Sequence, residues 1–244
     1  MALASPFSTG GGGEGFEKLA GACTLAALLA REEVPGLDLP VTKVRFQQRY
    51  AGHLLDDIVI DGTSRGVRRT LEIQARHRPR LTASDPKFIE LMATFMRAMR
   101  DNRAAMLNDT RRLGLLLELG TPGSKSLHQL TRIAWANSDP TAFYQAIAAQ
   151  GHTSKPTQDR LGQLVKAKAA ADQASEIAED PELWMLLRGL RVLPCRWTGR
   201  PARIAPTRST SFAVFLQPTT RPAHPTCSPI CSRSWPTSSH SPAA

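Results

Sequence analysis

The sequence has 244 residues, of which 41% are hydrophobic, and a formal net charge of +10. That length suffices for one sizeable core, or for one domain with an appendage. No apolar run approaches the eighteen or so residues that a membrane span needs, and the first residues lack the basic and apolar regions of a signal peptide. We therefore expect a cytoplasmic protein with no membrane association.

The positive charge is unevenly distributed along the chain. Residues 194–244 contain six arginines and no Lys, Asp or Glu, so the preceding 193 residues carry only +4. The net charge therefore does not by itself indicate a nucleic-acid partner.

Residues 194–244 also differ from the rest of the chain in pattern. They hold nine of the 18 prolines and show neither helical nor strand periodicity. This composition predicts a disordered tail, because it cannot bury enough apolar surface to offset the entropy lost on ordering. Two origins stay open: a natural tail, or translation out of frame in a GC-rich gene, which we prefer.

Helix and strand patterns alternate in the first half of the chain, and helical patterns follow. The predicted elements, in chain order, are a buried helix over 15–31, a strand over 41–50, hairpin strands at 53–60 and 67–76 joined by a turn-rich linker at 61–66, a helix from Pro86, a strand over 111–120, and helices within 124–193. This order predicts an α/β fold.

The helix that begins at Pro86 has the clearest start signal. Ser84 or Asp85 can cap it, and proline is favoured at the first helical position. An apolar stripe at helical spacing then predicts a core face rather than a cofactor site: Phe88, Leu91, Met92, Phe95, Met96 and Met99.

We accordingly divide the chain into four parts. A flexible Gly-rich lead-in covers 1–14, an α/β core with a small mixed sheet flanked by helices covers 15–120, a helical extension covers 121–193, and the tail covers 194–244.

Polar side chains interrupt both strands of the predicted hairpin. Side chains two residues apart in a strand share a face, so Glu72, Gln74 and Arg76 project together. On the partner strand Asp56 and Asp57 point to opposite faces, so one of them can join this row. Carboxylate and amide oxygens suit Mg²⁺. The alternative is a partly exposed edge that carries an ordinary Asp–Arg ion pair.

Three stretches, "GFEKLAGACTLAALL", "RYAGHLLDDIVI" and "LEIQARHRPRLTASDPKF", resemble the N-terminal nuclease domain of antiphage double-stranded DNA endonucleases. The same domain is also the N-terminal domain of some STAND-type NTPases. It has the PD-(D/E)xK nuclease fold, in the variant whose motif ends Gln-x-Lys. The resemblance covers roughly residues 15–192. It implies a restriction-endonuclease-like core, Mg²⁺ or Mn²⁺ as cofactor, and double-stranded DNA as partner. It also implies a C-terminal sensor or NTPase domain missing from this chain, and it is compatible with a homo-oligomer.

Carried over residue by residue, the resemblance makes Asp57 the metal carboxylate and Gln74 the second ligand. Glu17 on the first helix matches an extra acid of related nucleases, and Glu72 either assists or only completes the strand face. Arg76 stands where the family has lysine. Arginine keeps its charge and can contact phosphate, but it cannot lose a proton to assist a water molecule.

Two further interpretations stay open beside the endonuclease. One is a catalytically impaired, nuclease-like module that serves in binding or assembly, which the Arg76 substitution motivates. The other is a non-functional gene fragment.

Overall fold

The computed structural model describes residues 12–149 and 153–195. Seven α-helices, five strands and one 3₁₀ helix occupy these ranges. In chain order they are α1 Gly12–Ala30, β1 Val41–Phe46, the 3₁₀ helix Gln48–Ala51, β2 Ile58–Ser64, β3 Val67–Arg76, α2 Pro86–Asp101, α3 Arg103–Leu107, β4 Arg111–Glu118, α4 Ser124–Ala136, α5 Pro140–Ala148, α6 Lys155–Asp172, α7 Pro181–Gly189 and β5 Leu190–Cys195. None of these helices combines the length and apolar composition that a bilayer crossing requires.

The five strands form one mixed sheet in the order β1-β2-β3-β4-β5. The first three strands are an antiparallel meander, and β3, β4 and β5 run parallel. The carboxyl ends of the three parallel strands therefore lie at one edge of the sheet, which we call the C-terminal edge. The start of β2 reaches the same edge. The predicted α/β class with a mixed sheet flanked by helices is confirmed.

Helices cover both faces of the sheet and create two apolar clusters. On one face α1 packs against β1 and β3, with Phe16 and Ala20 set against Leu71 and Ile73. On the other face, helices α2, α4, α6 and α7 surround apolar side chains of β4 and β5 such as Leu115. Burial of these two clusters holds α1 and the hairpin in fixed positions at the C-terminal edge.

The helix that begins at Pro86 follows its sequence signals. The Asp85 side chain accepts a hydrogen bond from Lys87 N at 3.0 Å, so the predicted cap is confirmed. Every predicted core residue of the Phe/Met stripe is buried. The strand predicted over 111–120 is present as β4 but ends at Glu118, and the strand predicted over 41–50 is present as β1 but ends at Phe46.

The hairpin lies further along the chain than predicted. Residues 53–57, which we predicted as strand, precede β2. Residues 61–64, which we predicted as part of the linker, belong to β2, so both assignments were wrong. The reversal occurs at Arg65 and Gly66, whose φ angles of 47° and 80° suit a two-residue turn. Gly62, which we took as a turn residue, lies within β2 and pairs with Arg69. A Cβ there would lie 2.8 Å from Leu37 Cδ2, so the close approach of Leu37 explains why this strand residue is a glycine.

The first helix is half buried, whereas we predicted a buried one. Phe16 and Ala20 face the sheet at 0% and 5% exposure, but Leu25 and Leu29 are 43% and 87% exposed. Alanine and leucine occur on every side of this helix, so its hydrophobic pattern could not identify the packed face.

The helices predicted within 124–193 are present, but the last one ends early. It stops at Gly189, and residues 190–193 belong to β5, so their helical assignment was wrong. Leu190 and Val192 face one cluster while Leu193 faces the other, the period-two pattern of a strand. Pro194 and Cys195 complete β5 and residues 12–14 begin α1, so their assignments to the disordered tail and to the flexible lead-in were wrong. The predictions for residues 1–11 and for the tail beyond Cys195 lie outside the described residues.

Candidate active site

Asp57 lies directly before β2, opposite the end of β3. The pairing of Ile58 with Ile73 brings its carboxylate to Gln74 and the residues after it. Asp57 Oδ2 accepts hydrogen bonds from Ala75 N at 2.8 Å and from the Gln74 side-chain amide, and an Arg76 guanidinium nitrogen lies 3.4 Å away. The Asp57 side chain is 15% exposed. Three residues predicted from the sequence therefore converge at one point of the C-terminal edge.

Glu17 joins this group from the first helix. Its neighbour Phe16 is fully buried between α1 and the sheet, which fixes the rotation of the helix. The Glu17 carboxyl group then hydrogen-bonds the Asp57 side chain, and the charge of Arg76 acts on it as well. We call Glu17, Asp57, Gln74 and Arg76 the acidic site.

Two carboxyl groups in contact cannot both ionise without repulsion. Burial, followed by the repulsion from Glu17, raises the pKa of Asp57 to about 7 from an ordinary value of 3.8. Burial also raises the pKa of Glu17, although Arg76 acts in the opposite direction. Below about pH 7 the Asp57 carboxyl group therefore retains a proton, and a divalent cation placed between the two groups would take over that proton's role.

Glu72 does not belong to the acidic site. Its side chain is 1% exposed and lies within a separate charged cluster inside the fold. His53 Nδ1 is 2.9 Å from Glu72 Oε1, and Arg111 forms an ion pair with the same oxygen. Arg45 contacts the other nitrogen of His53 at 3.4 Å. This cluster ties β1, β3 and β4 to the loop before β2.

Glu118, the last residue of β4, is 5% exposed and was not predicted from the sequence. His77 Nε2 lies 3.1 Å from Glu118 Oε2, and Arg78 forms an ion pair with the same oxygen. The His77 ring packs against Phe16 at a centroid distance of 5.8 Å. Glu118 therefore supports the strand end that carries Arg76 and the helix that carries Glu17. The sequence feature that could have identified it is an acidic residue directly after an apolar run, in "LGLLLE".

The donors of the acidic site match a hard cation with few protein ligands. Within residues 12–149 and 153–195, no group of three or more His, Cys, Asp or Glu side chains is placed to hold a metal ion. Mg²⁺ commonly binds through one or two carboxylates and keeps several waters, so Glu17 and Asp57 with one amide oxygen suffice. The Gln74 amide presents its nitrogen to Asp57, so its oxygen could serve as a ligand only after the amide turns over.

Comparison with known proteins adds no relatives. Neither a protein family model, nor a curated protein, nor a solved structure matches this chain. The residues of the acidic site are therefore the basis on which a function can be proposed.

Proposed function

We propose that the chain is the metal-dependent double-stranded DNA endonuclease domain of a bacterial antiphage effector that acts in the cytoplasm. One observation supports this most: Glu17, Asp57, Gln74 and Arg76 meet at the C-terminal edge although they come from three separate elements. They combine anionic ligands for a cation with a positive charge for a phosphate, which are the requirements of phosphodiester hydrolysis.

Each residue has a distinct part in this proposal. Asp57 and Glu17 would hold Mg²⁺ or Mn²⁺, and Gln74 would offer an amide oxygen. The bound ion supplies Lewis-acid stabilisation of the charge that develops on the phosphate. Asp57 keeps its orientation through the hydrogen bond from Ala75 N at 2.8 Å, and this contact does not depend on any ligand.

Arg76 is the group that would contact the DNA phosphate. Its side chain is 42% exposed, so the guanidinium reaches solvent while one nitrogen stays near Asp57. A guanidinium can donate two hydrogen bonds to a phosphate and stabilise its negative charge. Because arginine stays protonated, Arg76 would act on the charge of the phosphate and would not take a proton from water.

Plasmid degradation in the presence of Mg²⁺ tests the proposal. The wild-type chain should cut supercoiled DNA, and Asp57→Asn should lose at least a hundredfold in rate because it removes an anionic ligand while keeping the side-chain shape. Asp56→Asn is the matched control, since Asp56 is the adjacent acid and lies outside the hydrogen bonds of Asp57. Undiminished cleavage by Asp57→Asn would remove this site from consideration.

Arg76 also favours a second candidate, a nuclease-like module that binds or assembles without cutting. The substitution Arg76→Lys distinguishes the two, because lysine can lose a proton and arginine cannot. Activity that appears only in the lysine variant would identify an impaired enzyme. Retained DNA binding with no cleavage by either protein would identify the binding module.

A further inference from the structure

Three arginines surround an exposed tryptophan at the edge of the sheet opposite the acidic site. The guanidinium carbons of Arg191, Arg112 and Arg188 lie 4.4, 5.5 and 5.7 Å from the centroid of the Trp135 ring. Trp135 is 46% exposed although it lies on a helix that packs against the sheet. We call these four residues the arginine–tryptophan patch.

The patch has more positive charge than its neighbours neutralise. Arg112 forms ion pairs with Asp38 and Asp109, and Arg69 shares Asp109. When Arg188 and Arg191 are counted with Arg69 and Arg112, this region of the described chain holds four arginines and only these two carboxylates.

Arg188 and Arg191 themselves have no ion-pair partner in the described ranges of the chain. The Arg188 guanidinium donates to Asn137 O at 2.7 Å, and the Arg191 guanidinium donates to Arg188 O at 2.8 Å. These acceptors are backbone carbonyls at the ends of α4 and α7, and they carry no net negative charge.

The position of Arg191 is electrostatically unfavourable. Burial, and next the repulsion from Arg112, lower the pKa of the Arg191 guanidinium to about 10. An anion bound near Arg191 would stabilise the charged form of its guanidinium, because it would offset the effects of burial and repulsion.

We propose that the arginine–tryptophan patch binds a nucleotide, whose phosphate contacts Arg188 and Arg191 and whose base packs against Trp135. Guanidinium groups pair with phosphate through two parallel hydrogen bonds, and an exposed indole is a sequence-tolerant surface for a base. The shared chemistry is a phosphate joined to a flat aromatic ring, present in a free nucleotide and in a nucleic-acid strand.

This site is separate from the proposed nuclease site and does not depend on it. Arg112 lies near the start of β4, while Leu117, which pairs with Arg76, lies near its end. They are five positions apart along the strand, roughly 17 Å.

Titration of the full chain with adenosine monophosphate, followed by tryptophan fluorescence and calorimetry, tests the proposal. We expect saturable binding that inorganic phosphate competes away. Arg188→Gln should weaken it at least tenfold. Arg97→Gln is the matched control, because Arg97 is an exposed arginine on α2, outside the patch, and it should leave the affinity unchanged.

A second variant and a second ligand complete the test. Trp135→Leu should reduce the affinity for adenosine monophosphate more than the affinity for inorganic phosphate, since it removes only the surface for the base. Tighter binding of a short single-stranded oligonucleotide would assign the patch to a nucleic-acid strand, and equal or weaker binding to a free nucleotide. Absence of saturable binding by the wild type, or an unchanged affinity in both Arg188→Gln and Trp135→Leu, would overturn the proposal.

Discussion

Replacing Asp57 with asparagine should change how the stability of the fold depends on pH. The substitution keeps the shape of the side chain and an oxygen that can accept from Ala75 N, but it removes one of two carboxyl groups in contact. The effect on the free energy of unfolding follows from the position of Asp57 between Gln74 and Glu17.

The expected magnitude comes from the difference between folded and unfolded pKa values. The pKa of Asp57 is about 7 in the folded chain and 3.8 ordinarily, chiefly because burial disfavours the charged form. A carboxyl group whose pKa rises on folding favours the folded state at low pH, and this contribution disappears as the pH rises from about 4 to about 7. Three pKa units correspond to about 4 kcal/mol, of which about 3 kcal/mol falls between pH 5 and pH 8.

Urea denaturation at several pH values in EDTA measures this effect. The stability of Asp57→Asn relative to the wild type should increase by about 3 kcal/mol from pH 5 to pH 8. Asp56→Asn should show much less, because Asp56 is the smallest of the influences on the pKa of Asp57. Excess Mg²⁺ at pH 8 should then stabilise the wild type and leave Asp57→Asn unaffected. Parallel pH curves for the wild type and Asp57→Asn would refute the reasoning.

Two further predictions concern the interior of the fold. Glu72→Gln should destabilise the chain by about 3 kcal/mol, because it leaves the charge of Arg111 without its buried partner; a loss below about 1 kcal/mol in urea denaturation would contradict this. Gly62→Ala should cost about 1–3 kcal/mol, since its Cβ would lie 2.9 Å from Leu39 Cβ and 3.0 Å from the backbone oxygen of Pro40, besides 2.8 Å from a methyl group of Leu37. Gly162→Ala on α6, where a Cβ meets nothing within 4 Å, should instead stabilise by about 1 kcal/mol; thermal denaturation showing the same sign for both glycines would contradict the packing argument.

Features that depend on neighbouring residues could be predicted from the sequence. The cap at Asp85 and the stripe that follows it lie within one helix, so local spacing was sufficient. The convergence of Asp57 with Gln74 and Arg76 was also accessible, because a hairpin brings its two strands together through a short turn. The predicted limits of β2 were wrong since Asp-Gly usually indicates a turn, whereas here the close approach of Leu37 requires the glycine.

Features that depend on distant parts of the chain could not be predicted. Glu118 meets His77 because β4 returns parallel to β3, after a helical crossover that no local pattern describes. Arg111 reaches Glu72 for the same reason. Residues 190–193 form a strand because they pair with the otherwise unpaired edge of β4. Their sequence could not show this, since four residues are too few to distinguish a strand from the end of a helix.

The two-residue turn at Arg65 and Gly66 has a consequence for the order of folding. Asp57, Gln74 and Arg76 lie within twenty residues of one another, so little chain entropy is lost when they come together. Glu17 must wait until α1 docks through Phe16 onto a sheet that already exists. We expect amides of β2 and β3 to be protected from hydrogen exchange before those of α1 during refolding, so that the first carboxylate is in place before the second arrives.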